Sequence, residues 1–353
     1  MRRKFLVLLV GLMLVLAGCV GDTGDDSGDD GIDDADTADD TDSDDSTDDS
    51  DDTQNGDDDD TDRDTDDDPP PTVDGELEIH HIDVGQADST LILTPEGETI
   101  LIDTGDWRQA GSEVIAYLEA LDIDRIDHLV GTHPHADHIG GHDEIIAWAE
   151  EEGNGIGTAY DSGVPHDTAT YERYLDAVED YNVDLQIVEE GDEMPIEDES
   201  LSALFVNPPE GQSGDDLHDN SVSLVIEFGD FSYVTTGDAE QDAEDHMVDV
   251  WAEELNADVY QAGHHGSSTS STHSFLDAVD PSIAVISSGY DSQYGHPHDE
   301  VLQEFADRGI ETYWTGVHGD IVLTTDGDSI SVETSDEFST DPADLLAEKP
   351  DND

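Results

Sequence analysis

The chain has 353 residues, enough for two average domains, but its 9 Lys+Arg stand against 94 Asp+Glu, giving a formal net charge of -85 at pH 7. One cysteine excludes an internal disulfide. So few cations exclude the broad basic face with which nucleic-acid binders usually grip phosphates.

In chain order, Met1-Arg2-Arg3-Lys4-Phe5-Leu6 precedes an apolar run from Val7 to Ala17. This is a charged region followed by a hydrophobic one too short for a stable membrane span. Leu16-Ala17-Gly18-Cys19 resembles a lipobox. Residues 1–18 are therefore expected to be a lipoprotein signal peptide, and Cys19 the lipidated terminus holding the chain on the extracellular face of the membrane. Arg2-Arg3 also resembles a twin-arginine export signal. Residues 19–74 are Asp, Thr, Ser and Gly with almost no large apolar side chain. They cannot bury enough surface to offset ordering entropy, and they read as a disordered acidic tether extended by its own charge. The acidity continues beyond the tether, and self-repulsion of this size opposes compact folding unless salt screens it. The Debye length is about 3 Å at 1 M salt, so the composition points to a halophile of haloarchaeal type.

Residues 75–335 read as one folded domain and 336–353 as a loose polar tail. Leu77 to Val84, Ser89 to Thr94 and Thr99 to Asp103 form a predicted three-strand meander. Helical and strand patterns then alternate: helices at 112–121, 143–152, 171–181, 239–255, 273–279 and 298–308, and strands at 126–131, 201–206, 222–228, 231–235, 258–262, 282–287, 311–315, 319–325 and 329–333. Two groups of strands, each accompanied by helices, predict two packed mixed sheets with helices outside.

Thr132-His133-Pro134-His135-Ala136-Asp137-His138 directly follows an apolar strand. An aspartate alone means little where 94 of 353 residues are acidic, but histidine is only 16 of 353, so three within six positions is an excess. Imidazoles and a carboxylate at one strand end suit zinc first and manganese second.

His133-x-His135-x-Asp137-His138 resembles the signature of the metallo-β-lactamase superfamily, an αββα sandwich. His81-Ile82-Asp83-Val84-Gly85-Gln86-Ala87-Asp88, Leu101-Ile102-Asp103-Thr104-Gly105, Thr236-Gly237-Asp238, Gly263-His264-His265-Gly266-Ser267 and Tyr294-Gly295-His296-Pro297 are similar, in the same order, to the C-terminal hydrolase domain of ComEC-type competence proteins. The resemblance implies two divalent ions. His133 and His135 would hold one, Asp137 and His138 the second. Asp238 would bridge them and His264 complete the second site, with His265 as its rival. Asp103 would orient the metal loop. His218, within His218-Asp219-Asn220-Ser221, is an alternative ligand, while Asn220 and Ser221 are expected to face the substrate.

Two ions about 3.5 to 4 Å apart activate water and clamp the oxygens of an in-line displacement. Asp137, His265 and His296 are accordingly assigned to catalysis. Ser267 and His298 are assigned to the substrate. The expected activity is phosphodiester hydrolysis, with DNA as a candidate substrate. The alternatives are a small-molecule hydrolase acting on a phosphorylcholine-type ester, lactone or lactam, and a non-catalytic binding lipoprotein. No protein partner is inferable.

Overall fold

The computed structural model describes residues 73–350 apart from 212, 213 and 215. The segment read as a signal peptide, Cys19 and nearly all of the segment read as a tether lie outside the described residues. No helix among the described residues is long and apolar enough to cross a membrane.

The chain opens with β1 (Leu77–His81), β2 (Thr90–Leu93) and β3 (Thr99–Ile102), an antiparallel meander. Helix α1 (Ser112–Ala120) leads into β4 (Ile126–Val130), α2 (His142–Glu152) into β5 (Ile156–Asp161) and α3 (Ala169–Tyr181) into β6 (Asp184–Ile187), with β3 to β6 parallel. A second sheet starts with the antiparallel strands β7 (Leu201–Asn207), β8 (Ser223–Phe228) and β9 (Phe231–Thr235). It continues through α4 (Gln241–Trp251), β10 (Val259–Gln261), α5 (His273–Val279), β11 (Ile283–Ile286), α6 (Asp299–Arg308) and β12 (Glu311–Trp314), with β9 to β12 parallel. After the short α7 (Thr315–His318), the hairpin β13 (Ile321–Thr325) and β14 (Ile330–Thr334) returns to the first sheet beside β1, and α8 (Pro342–Glu348) follows. The strand orders are β14-β13-β1-β2-β3-β4-β5-β6 and β12-β11-β10-β9-β8-β7.

Strand side chains alternate between faces, and here both faces are covered. Ile100 and Ile102 of β3 meet Leu224 and Ile226 of β8 in the layer between the sheets, whereas Leu101 turns outward to α1 and α2, and Val225 to the helices of the second sheet. The result is the expected αββα sandwich. Sequence reading missed β5 and β6. β5 mixes Gly157, Thr158 and Ala159 with few large apolar groups, and β6 is an edge strand with exposed positions at Asp184, Gln186 and Ile187. The tail also differs from expectation: α8 packs on α6 and buries Leu345 in the helix-side core. Two leucines and the Asp341 N-cap, which accepts Ala343 N–H, are enough to dock it.

β1, β3, β4 and β5 run in one direction, so their C-terminal ends share one rim of the first sheet. The C-terminal ends of β9, β10 and β11 share a rim of the second sheet with the start of β8. In open α/β sheets this carboxyl edge is where ligand sites form.

Candidate metal centre

Loops from both rims converge on one point. From the first sheet come Asp88 after β1, Asp103 after β3 and the 132–138 loop after β4. From the second come His218 to Ser221 before β8, Asp238 after β9, a 3-10 turn at Gly263–Gly266 after β10, and His296 beyond β11. Backbone bonds tie the loops together: Asp88 N–H donates to Asp137 O (3.1 Å), Thr104 N–H to His138 O (2.7 Å), Val222 N–H to Thr132 O (2.8 Å) and His264 N–H to Gly237 O (3.0 Å).

The ligand-type atoms form overlapping groups. His133, His135, His218 and Asp238 each offer an atom, all within 4.8 Å of one another, and Asp88, His138, Asp238 and His265 do the same. Asp238 belongs to both. His133 Nε2 lies 3.6 Å from its Oδ2 and His138 Nε2 3.2 Å from its Oδ1. Asp137 Oδ2 stands 3.4 Å from His265 Nε2. A third group, His218, Glu240 and His264, flanks the first.

These residues fit divalent cations. His133 Nε2 faces His135 Nδ1 at 2.8 Å, and His138 Nε2 faces His265 Nε2 at 3.2 Å. Asp238 Oδ1 is buried and, despite its nearness to His138, has no hydrogen-bond partner among the described residues. Nitrogens converging on nitrogens around an unbonded carboxylate oxygen are costly in a desolvated pocket unless a proton or a cation lies among them.

The electrostatics agree. Burial pulls His133 well below the usual imidazole range, and burial followed by the neighbouring His218 pulls His135 down to about 4. At His138 burial is outweighed by Asp238 and Asp103, which hold it well above that range, and at His265 burial is outweighed by Asp238 and Asp137, pushing it up to about 9. For Asp137 and Asp238 burial is likewise overcome, by His265 for the former and by His138 for the latter, so both lie below the usual carboxylate range. Burial pushes Asp88 up to about 6. The apoprotein thus shares a few protons among many bases, the state that a bound cation displaces.

The supporting contacts are equally specific. His138 Nδ1 donates to Asp103 Oδ2 (2.7 Å), and the same carboxylate accepts Thr132 N–H at Oδ1 (2.9 Å) and Thr132 Oγ1–H at Oδ2 (2.7 Å). His265 Nδ1 donates to Ser287 O at 3.0 Å. Asp103, His264 and His265 all adopt positive φ, at 57°, 52° and 56°, a conformation that non-glycine residues hold only when their surroundings enforce it.

The residues predicted from sequence are sorted by this geometry. His133, His135, Asp137, His138 and Asp238 come together, with Asp103 behind them. His264 reaches Asp238 with Nε2 3.6 Å from Oδ2 and also stands beside Glu240 (Nδ1 to Oε1, 3.3 Å) and His218, whereas His265 occupies the place beside His138, because successive left-handed residues turn the two rings apart. His218 joins the first group. Ser221 and Asn220 are fully buried. Ser221 Oγ accepts Asp238 N–H (3.1 Å) and so braces the Asp238 loop, while Asn220 Nδ2 donates to Asp216 O (2.6 Å) and closes the turn of its own loop. Ser267 Oγ is engaged with Thr269, and His298 bonds Ser268 N–H at Nδ1 and Tyr294 O at Nε2, which locks its loop. His296 lines the site, its ring 5.7 Å from His264 and 6.2 Å from His265, with Gln86 Nε2 3.4 Å from its Nδ1. Sequence reasoning missed Asp88 and Glu240. Asp88 ends the quoted Gly85-Gln86-Ala87-Asp88 stretch, a signal that was available; Glu240 had none in so acidic a chain.

Fold and site together define the class. The chain belongs to the metallo-beta-lactamase superfamily, whose family model matches residues 82–290. It is similar to ComE operon protein 3 of Bacillus subtilis (strain 168), with 32% identity over 267 residues, covering 71% of this chain and 33% of that protein. It is also similar to competence protein ComA of Neisseria gonorrhoeae, with 30% identity over 237 residues, covering 67% of this chain and 30% of that protein. The chain thus spans about a third of the length of these curated relatives. Among solved structures it is similar to Igni18, a metallo hydrolase from the hyperthermophilic archaeon Ignicoccus hospitalis KIN4/I, with 16% identity and a TM-score of 0.46 over 70% of this chain and 98% of that one.

Proposed function

We propose that the chain is a two-ion phosphodiesterase, with zinc as the metal, held on the extracellular face of the membrane by a lipidated Cys19. The observation that carries the catalytic part is the convergence of the buried His133, His138 and His265 and the half-buried His135 and His218 on buried Asp238, whose Oδ1 has no hydrogen-bond partner among the described residues. Bound there, divalent ions supply Lewis acidity and make hydroxide available near neutral pH. The chain's own groups then hold and orient. Asp103 fixes the His138 ring, Ser287 O fixes the His265 ring, and Ser221 fixes the Asp238 backbone. Asp137, partly exposed beside His265, is placed to accept a proton at Oδ2, and His296 on the same side is placed to contact a leaving oxygen.

Binding rests on the cluster rather than on basic side chains. Arg108, Arg125, Arg173, Arg308 and Lys349, the cations of the described residues, are all engaged in ion pairs with Asp or Glu of the same chain. DNA is the polymeric phosphodiester to try first, in keeping with the competence proteins among the relatives.

The test is to purify the full chain in multimolar salt and measure bound metal. Hydrolysis of bis-p-nitrophenyl phosphate, single-stranded DNA and double-stranded DNA is then compared with that by Asp137→Ala. Turnover by the wild type that falls at least a hundred-fold in the variant is expected. Equal inertness of both on all three substrates overturns the reading, and turnover only of nitrocefin or a lactone replaces it with small-molecule hydrolysis.

A further inference from the structure

Beneath the site a line of polar side chains crosses the apolar layer between the sheets. His81 of β1 and Thr90 of β2 come from one sheet, Tyr233 of β9 and Gln261 of β10 from the other. All four are buried. Tyr233 Oη donates to Gln261 Oε1 at 2.6 Å, and Thr90 Oγ1 donates to the same oxygen at 3.2 Å. Thr90 Oγ1 also lies 3.3 Å from His81 Nδ1. The Gln261 amide, its oxygen held by two hydroxyls, has one orientation left, in which Nε2 donates to Asp88 Oδ1 at 2.7 Å.

A polar chain through an apolar core costs stability unless every member is bonded; at one end His81 Nε2 has no hydrogen-bond partner among the described residues, and the other end reaches the site. That end is Asp88. Its backbone is fixed by the bond to Asp137 O and by Gly105 N–H donating to Asp88 O at 2.8 Å. Its side chain is buried, with Oδ2 3.9 Å from His265 Nδ1, and it lies within 4.8 Å of the ligand atoms of His138, Asp238 and His265. His265 Nδ1 is already committed to Ser287 O, so Asp88 is not that ring's hydrogen-bond acceptor.

We infer that Asp88 is a further carboxylate of the second cation position, and that Gln261, clamped by Tyr233 and Thr90, is the positioning residue that sets it there. The inference rests on the two-ion reading above and adds to it a residue outside the His133 to His138 motif. The chain of contacts also makes the second position depend on the two sheets being in register, because the clamp is built from both.

The experiment is metal stoichiometry and affinity on the full chain in high salt, using zinc with a chromophoric competitor and cobalt for its visible spectrum. Wild type is expected to bind two ions. Gln261→Leu is expected to keep the first ion and bind the second roughly 10- to 100-fold more weakly, the range typical of lost outer-shell support, and Asp88→Asn, which removes the carboxylate itself, to weaken the second ion at least as much, with the cobalt bands of that position altered in both. Tyr233→Phe, which removes one hydroxyl and little volume, guards against a variant that fails to fold, and a smaller weakening of the same ion is expected. Two ions at wild-type affinity and an unchanged cobalt spectrum in Asp88→Asn and Gln261→Leu overturn the inference while leaving the two-ion reading intact. A wild type that binds no second ion overturns both.

Discussion

Asp103 Oδ2 sits 2.7 Å from His138 Nδ1 while Oδ1 of the same residue accepts Thr132 N–H. One carboxylate therefore sets both the strand-end turn and the imidazole that the turn delivers. Asp103→Asn keeps the size but turns an N–H toward a ring that is itself a donor. A loss of about 10- to 100-fold in metal affinity is expected, together with about 2 kcal/mol of stability, typical of a charge-assisted bond. Competitive zinc titration and denaturant unfolding check the two numbers, and unchanged affinity would show that His138 is oriented by something else.

Gly140 lies where the metal loop meets the chain after β3. A Cβ built on it would stand 2.1 Å from Trp107 N and 2.2 Å from Ala136 O, both backbone atoms that cannot swing aside. Gly140→Ala is expected to cost about 3 kcal/mol through overpacking and to lower metal content, because Ala136 lies between two ligand-type residues. The check is the urea midpoint in high salt beside metal analysis. A wild-type midpoint would mean that this junction is looser than its contacts imply.

Glu244, which is in none of the ligand-type groups, gives a pH signature of its own. Burial pushes it up to about 7 from an ordinary value of 4.5, although Ser271 N–H and Thr272 N–H both donate to it. A carboxyl with a raised folded-state value favours folding below its unfolded value, and that contribution is lost as pH rises through the folded value. Stability should therefore fall between about pH 4.5 and 7, by about 3 kcal/mol from this group. The slope should flatten in Glu244→Gln, as read from unfolding midpoints across that range. An unchanged slope in the variant would assign the pH dependence to other groups.

The affinity for DNA should be nearly independent of salt. Binding through basic residues gives a slope of about -0.9 per phosphate contacted in log affinity against log salt, and the cations of the described residues are all paired internally. A slope close to zero for the KM of an oligonucleotide is expected across the range in which the fold is stable. A KM that rises steeply with salt would reveal a basic contact outside the described residues.

What the sequence disclosed follows from what is local in it. The His133 to His138 spacing places several ligand-type residues in one turn whatever the rest of the chain does, and the alternation in β3 and β8 encodes burial on two faces. Which part of the cluster His264 and His265 each enter depends on two consecutive positive φ values that the surrounding loops impose, and no propensity foretells that. Glu240 was hidden by its own abundance class. Asn220, Ser221, Ser267 and His298 have the chemistry of substrate contacts, but the hydroxyls, amides and imidazole of these four are used to brace loops, a distinction that only packing reveals. The α8 helix was illegible because two leucines form no periodic pattern until α6 offers them a groove.

Asp238 hangs from the second sheet, whereas His133, His135 and His138, half of the imidazoles gathered around it, hang from the first. Neither sheet alone retains more than a fragment of the coordinating set, so cation capture reports that the two layers have closed on one another. Loaded ions would then act as a clasp at the open end of the sandwich, and chelation should loosen the seam between the sheets before it melts either one.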